Sequence, residues 1–155
     1  MYWPVVRHLP LSQQLAPPAS RWLDGLPDNV ERELTTTVYE VTRYRNPQTY
    51  HRVSGGRWEA MTNRMAGIFE ARDRLGQNLY RLFAFFDLEA GQHGGQGPTL
   101  VLLSGSTKPN RSAMPSDVYE EILKMRTSCL VKPRPYRDLI VPSRGRGYID
   151  SRHIR

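Results

Sequence analysis

Apolar positions recur along this chain with two different periods, and the change from one to the other outlines the fold. After Pro27, the residues Val30, Leu34, Val38 and Val41 fall at helical spacing, while Glu31, Arg32, Glu33 and Glu40 lie elsewhere on the cylinder. Pro27 suits a first helical position and Asp28 suits the positive helix start. Pro47 disfavours helix at the residue before it, so the helix is expected to end between Tyr44 and Asn46. Its apolar stripe marks it as core scaffolding. From Gly67 the period shortens to two. The stretches Gly67–Arg74, Leu79–Phe86 and Thr99–Leu103 predict three strands bounded by Gly, Asn and Pro. In the first, Ile68, Glu70, Arg72 and Arg74 share a side, and Phe69, Ala71, Asp73 and Leu75 share the other. In the second, Tyr80, Leu82, Ala84 and Phe86 oppose Leu79, Arg81, Phe83 and Phe85. The turn residues Gly76-Gln77-Asn78 predict an antiparallel hairpin between them.

The connections read as follows. Leu88 to Pro98, rich in Gly and Gln, forms a long hairpin tip carrying a solvated His93, and Ser104–Arg111 forms a loop. A second helix spans Ser116–Arg126, capped by Ser116 or Asp117 with Glu120 completing a capping box, and buries Val118, Ile122 and Met125. Trp58 and Met61 belong to a short apolar stripe that leads to Met65. Trp58 either packs on the sheet or stacks on a nucleobase.

These elements define an α+β protein: a small antiparallel sheet packed against an N-terminal helix, one further helix after the last strand, and an extended basic C-terminal tail. Residues 1–20, rich in Pro and Gln, form a flexible leader or retain a first strand at Trp3–Val6, with Pro4 confining any such strand to an edge. Residues 21–130 form the folded domain. Residues 131–155 form the tail, with Leu139-Ile140-Val141 as its apolar anchor; folding back along the sheet edge is the alternative arrangement.

Charge sharpens this division. The 155 residues carry a net +7, and residues 131–155 alone hold seven Lys or Arg against Asp138 and Asp150, a net +5. A polyanionic partner and a merely solvated tail both account for this. The one cysteine, Cys129, excludes an intramolecular disulfide and a cysteine-based zinc site. His8, His51, His93 and His153 are scattered, so neither a metal nor another cofactor is expected. The start of the chain lacks a signal-peptide pattern, and no apolar run approaches the ~20 residues that span a bilayer, which predicts a cytoplasmic protein.

The ordered pieces Trp58-Glu-Ala-Met61, Met65-Ala-Gly-Ile-Phe-Glu-Ala-Arg72, Tyr80-Arg-Leu-Phe83 and Gly105-Ser-Thr-Lys-Pro109 resemble the RelE/ParE toxin superfamily, within it the HigB-like, phage-derived branch. The resemblance runs from about Arg57 to Arg126. It implies the RelE-like microbial RNase fold and the toxin half of a type II toxin–antitoxin system. The activity implied is that of an mRNA interferase, a metal-independent, ribosome-dependent endoribonuclease (a hydrolase) neutralised by a helix-turn-helix antitoxin. Its partners would be the ribosome and mRNA, with no membrane. In that chemistry the ribose 2′-OH loses its proton and attacks the adjacent phosphate, preorganised cations stabilise the growing charge, and the leaving 5′-oxygen gains a proton.

By the same resemblance, Arg81 takes the role of transition-state stabiliser and Lys108 that of a second catalytic cation. Arg72, Arg74, Arg111, Arg134 and Arg137 are the RNA-binding candidates. Structural roles compete: Arg72 paired with Glu70 or Asp73, and Arg81 holding the tail or a helix. Pro109 stands where the family pattern often carries a second lysine, and no histidine falls on a strand as general base. Tyr136, Tyr148 or His153 of the tail are candidates for that role. Two further readings stay open: a non-catalytic RNA- or ribosome-binding member of the same fold, and a ParE-like gyrase inhibitor.

Overall fold

The computed structural model describes residues 5–7, 19–43, 56–89, 99–109, 113–131, 137–143 and 147–150. Along the chain come β1 (Val5–Arg7), α1 (Ala19–Asp24), α2 (Asp28–Arg43), β2 (Trp58–Ala60), β3 (Phe69–Leu75), β4 (Asn78–Asp87), β5 (Thr99–Pro109), α3 (Ser116–Val131), β6 (Arg137–Ser143) and β7 (Gly147–Asp150). Strands β2 to β5 form an antiparallel meander. β1 runs parallel to the far edge of β5, and β6 and β7 continue from it antiparallel, giving the order β2-β3-β4-β5-β1-β6-β7. Among the described residues, no helix is long and apolar enough to cross a membrane.

Helix α2 begins where the Pro27 carbonyl accepts the Val30 and Glu31 amides, each at 3.0 Å. Its predicted stripe of Val30, Leu34, Val38 and Val41 is buried. Two buried threonines on the same helix satisfy their hydroxyls locally: Thr35 Oγ1 donates to the Glu31 carbonyl and Thr37 Oγ1 to the Glu33 carbonyl.

The alternation along the strands sorts side chains to two layers. Phe69, Ala71, Tyr80, Leu82, Ala84, Leu100 and Leu102 pack with Trp58 against α1 and α2. Ile68, Phe83, Phe85, Val101 and Leu103 pack against Ile122, Met125 and Cys129 of α3. Helices on both faces explain why the middles of β4 and β5 read as continuous apolar runs rather than as half-polar strands. Trp58 is fully buried and lies nearly parallel to Phe69 at 5.4 Å, so it packs within the sheet layer and is closed to a nucleobase.

Two glycines are required by this geometry. Gly76, at φ +60°, opens the two-residue turn between Leu75 and Asn78, while Gln77 keeps a negative φ; this is the type II′ pattern that joins right-twisted strands. Gly105 lies under the indole of Trp22, where a Cβ atom would sit 2.1 Å from Cδ2.

Several sequence expectations need correction. The stretch Ser104–Arg111 is not a loop: β5 continues to Pro109, so Lys108 is a strand residue. A bulge at Leu103, opposite the Phe83/Ala84 step, keeps Ser104, Ser106 and Lys108 in register with β4. α3 continues past Arg126 to Val131, which adds Cys129 to the buried stripe, while Val118 is only half-buried. At the chain ends the structure selects between alternatives left open: Val5–Arg7 forms a strand, though between β5 and β6 rather than at an edge, and Arg137–Ser143, which contains Leu139-Ile140-Val141, folds back onto the sheet with Gly147–Asp150 beyond it. The hairpin tip around His93 lies outside the described residues.

Candidate nucleic-acid interface

Helix α3 covers one sheet face only as far as Phe83; beyond it the same face becomes polar. The register sets out a grid there. Glu59, Glu70, Phe83 and Ser104 form one row across β2 to β5, Arg72, Arg81 and Ser106 form the next, and Arg74, Leu79 and Lys108 form the third. The four basic residues singled out from the sequence on these strands, Arg72, Arg74, Arg81 and Lys108, therefore share one face.

Arg72 and Arg81 are direct cross-strand partners, an arrangement that is unfavourable between like charges. The carboxylate of Glu70, which is only 1% exposed, resolves it. Arg72 donates to Glu70 Oε1 from Nε at 2.7 Å and approaches it through Nη2 at 2.5 Å, and Arg81 Nη1 lies 3.4 Å from Glu70 Oε2. On its solvent side, Arg72 Nη2 also pairs with Glu59. A carboxylate buried this deeply is stable only when paired and hydrogen-bonded, and here two guanidinium groups meet that need. Both oxygens of Glu70 are engaged, which suits it to fix the arginines rather than to meet a ligand.

The charges of Glu59 and Glu70 balance those of Arg72 and Arg81. Arg74, exposed and with no ion pair among the described residues, adds positive charge to the face. Arg57, whose carbonyl accepts the Arg72 amide at 2.9 Å, pairs with Glu40 at 3.4 Å. Between the entry to β2 and the β3–β4 hairpin lies an open depression of 430 Å³, lined by Gly56, Arg57, Arg72, Asp73, Arg74, Leu79, Tyr80 and Arg81. Planar guanidinium groups in fixed orientations at the rim of such a depression are suited to phosphate or carboxylate oxygens, which they can engage through paired N–H donors.

Arg111 and Arg134 lie outside the described residues, as do His8, His51, His93, His153 and Tyr136. Arg137 begins β6, in register with Arg7 and two strands beyond β5; Tyr148 is on β7. Sequence reasoning left Glu70 and Asp73 open as partners of Arg72, of which the structure shows Glu70, and it missed that Arg81 shares the same carboxylate and that Glu59 closes the outer side. A glutamate set among Ile68, Phe69 and Ala71 was the available signal, because such a position is buried and requires a cationic partner.

No protein-family model, curated protein or solved structure matches this chain. Its fold and site define an α+β protein with a cationic strand face.

Proposed function

We propose that the chain is a toxin of the RelE/ParE type, HigB-like, which cuts messenger RNA on the ribosome and is held inactive by a helix-turn-helix antitoxin. The observation that carries this reading is the convergence of Arg72, Arg74, Arg81 and Lys108 on one face of three adjacent strands. The element order is compatible with it: a helix ahead of an antiparallel meander, and a further helix after β5. In this reading Arg81, 20% exposed and anchored by Glu70, presents its guanidinium to the phosphate under attack. Lys108 binds beside it, and Arg72 and Arg74 hold the flanking backbone. The 2′-oxygen bonds to phosphorus as its proton leaves, the bond to the 5′-oxygen breaks, and that oxygen takes up a proton.

One observation favours a second reading. The balance of Glu59 and Glu70 against Arg72 and Arg81 leaves those four groups without net charge. A protein that binds ribosome or RNA without cutting requires only Arg74, Lys108 and the charges of residues 131–155. A gyrase inhibitor acting by protein contact has no need of cations gathered on one face.

Induction of the chain in growing bacteria, with pulse-labelling of protein and DNA synthesis, separates these readings. The toxin reading expects protein synthesis to stop first, together with fragmentation of messenger RNA. A halt without fragmentation supports the binder, and an early halt of DNA synthesis supports gyrase inhibition. Uninterrupted synthesis of both contradicts the proposal.

A further inference from the structure

The two carboxylates that hold Arg72 differ in kind. Glu70 is almost fully buried, with 2% of its side chain exposed, and it is shared with Arg81. Glu59 is 48% exposed, sits on a three-residue strand at the sheet edge, and reaches Arg72 from the solvent side. Glu59 and Glu70 are also direct cross-strand partners, so their like charges repel, and among the described residues it is Arg72 that holds the outer one in place. An exposed pair of this kind contributes little to stability, whereas release of Glu70 would strand a buried charge.

We propose that the Glu59 carboxylate is an internal stand-in for an RNA phosphate. It occupies the outer side of Arg72 in the free protein and is displaced when a backbone phosphate enters the depression beside Arg72, Arg74 and Arg81. Glu70 stays in place throughout and keeps both guanidinium groups aimed. Glu59 thereby sets the affinity of the face: it excludes weakly held anions and yields to a polyanion that engages Arg74 at the same time. This inference rests on the reading of the face as an RNA-backbone site, and it adds to that reading a residue that opposes binding.

The test is fluorescence anisotropy with an end-labelled single-stranded RNA oligonucleotide at low salt. It compares wild type, Glu59→Gln, Arg74→Ala, and Glu33→Gln as a control that removes one exposed carboxylate on α2, the helix packed on the opposite sheet face. Glu59→Gln is expected to tighten binding about two- to fivefold, the size of one exposed ion pair no longer in competition. Glu33→Gln should change it by much less. In an Arg72→Ala background, the gain from Glu59→Gln should disappear. If wild type binds and Arg74→Ala weakens binding, but Glu59→Gln matches Glu33→Gln, the stand-in role is overturned while the RNA reading survives. If neither wild type nor Glu59→Gln binds, both are overturned.

Discussion

The Glu70 cluster makes a quantitative prediction about stability that bears directly on any functional test of Arg81. Arg72 approaches Glu70 at 2.7 and 2.5 Å, whereas Arg81 reaches it only at 3.4 Å. Removing Arg81 therefore leaves the buried carboxylate with its stronger partner, and Arg81→Ala should cost about 1.5 kcal/mol, the low end for a hydrogen bond to a charged group. Arg72→Ala leaves only the long contact and should cost about 2–3 kcal/mol. Removing both leaves Glu70 buried and unpaired, for which the expected cost is about 3–5 kcal/mol. Restoring neutrality with Glu70→Gln in the double variant should recover part of that loss, because the cost arises from the stranded charge. Urea unfolding, with midpoint and slope compared across the series, measures these differences. An Arg81→Ala variant less stable than Arg72→Ala, or a double variant within ~1 kcal/mol of wild type, would refute the assignment of Glu70 as a buried charge held by both arginines.

Two further expectations follow from single positions. Gly105→Ala drives a Cβ atom to 2.1 Å from the Trp22 indole and should destabilise the fold by about 1–3 kcal/mol in thermal or urea unfolding, with Trp22→Leu in the same chain relieving part of the loss. Arg74→Ala, at an exposed position, should leave stability within ~0.5 kcal/mol of wild type. The same variant should weaken RNA binding and lower the salt slope of log K by about 0.7, the value of one phosphate contact on a single strand.

Much of this architecture was legible because it depends on local period and turn chemistry. The stripe Val30, Leu34, Val38 and Val41 sufficed for α2, and Gly76 with the alternation on either side sufficed for the β3–β4 hairpin. The alternation also assigned Arg72, Arg74 and Arg81 correctly to one side of their strands. What escaped depends on partners distant in sequence. Ser104, Gly105, Ser106, Thr107 and Lys108 read as a loop because they are polar, yet they pair with β4 where that face extends beyond α3. The three residues of β1 carry no signal for a parallel partner 95 positions away, at Leu100 to Leu102. The sharing of Glu70 between Arg72 and Arg81 requires the β3–β4 register, which brings together residues 11 positions apart.

The central claim is that the Arg72, Arg74, Arg81 and Lys108 face acts on messenger RNA at the ribosome. The most direct measurement is a reconstituted translation reaction on one defined mRNA, with new 5′ ends mapped by primer extension. Wild type, Arg81→Ala and a ribosome-free reaction are run together, at a temperature where the unfolding series shows Arg81→Ala to be folded. The account predicts new 5′ ends that require ribosomes and vanish with Arg81→Ala. Cuts that persist undiminished in Arg81→Ala, or an uncut message that is translated normally, would contradict it.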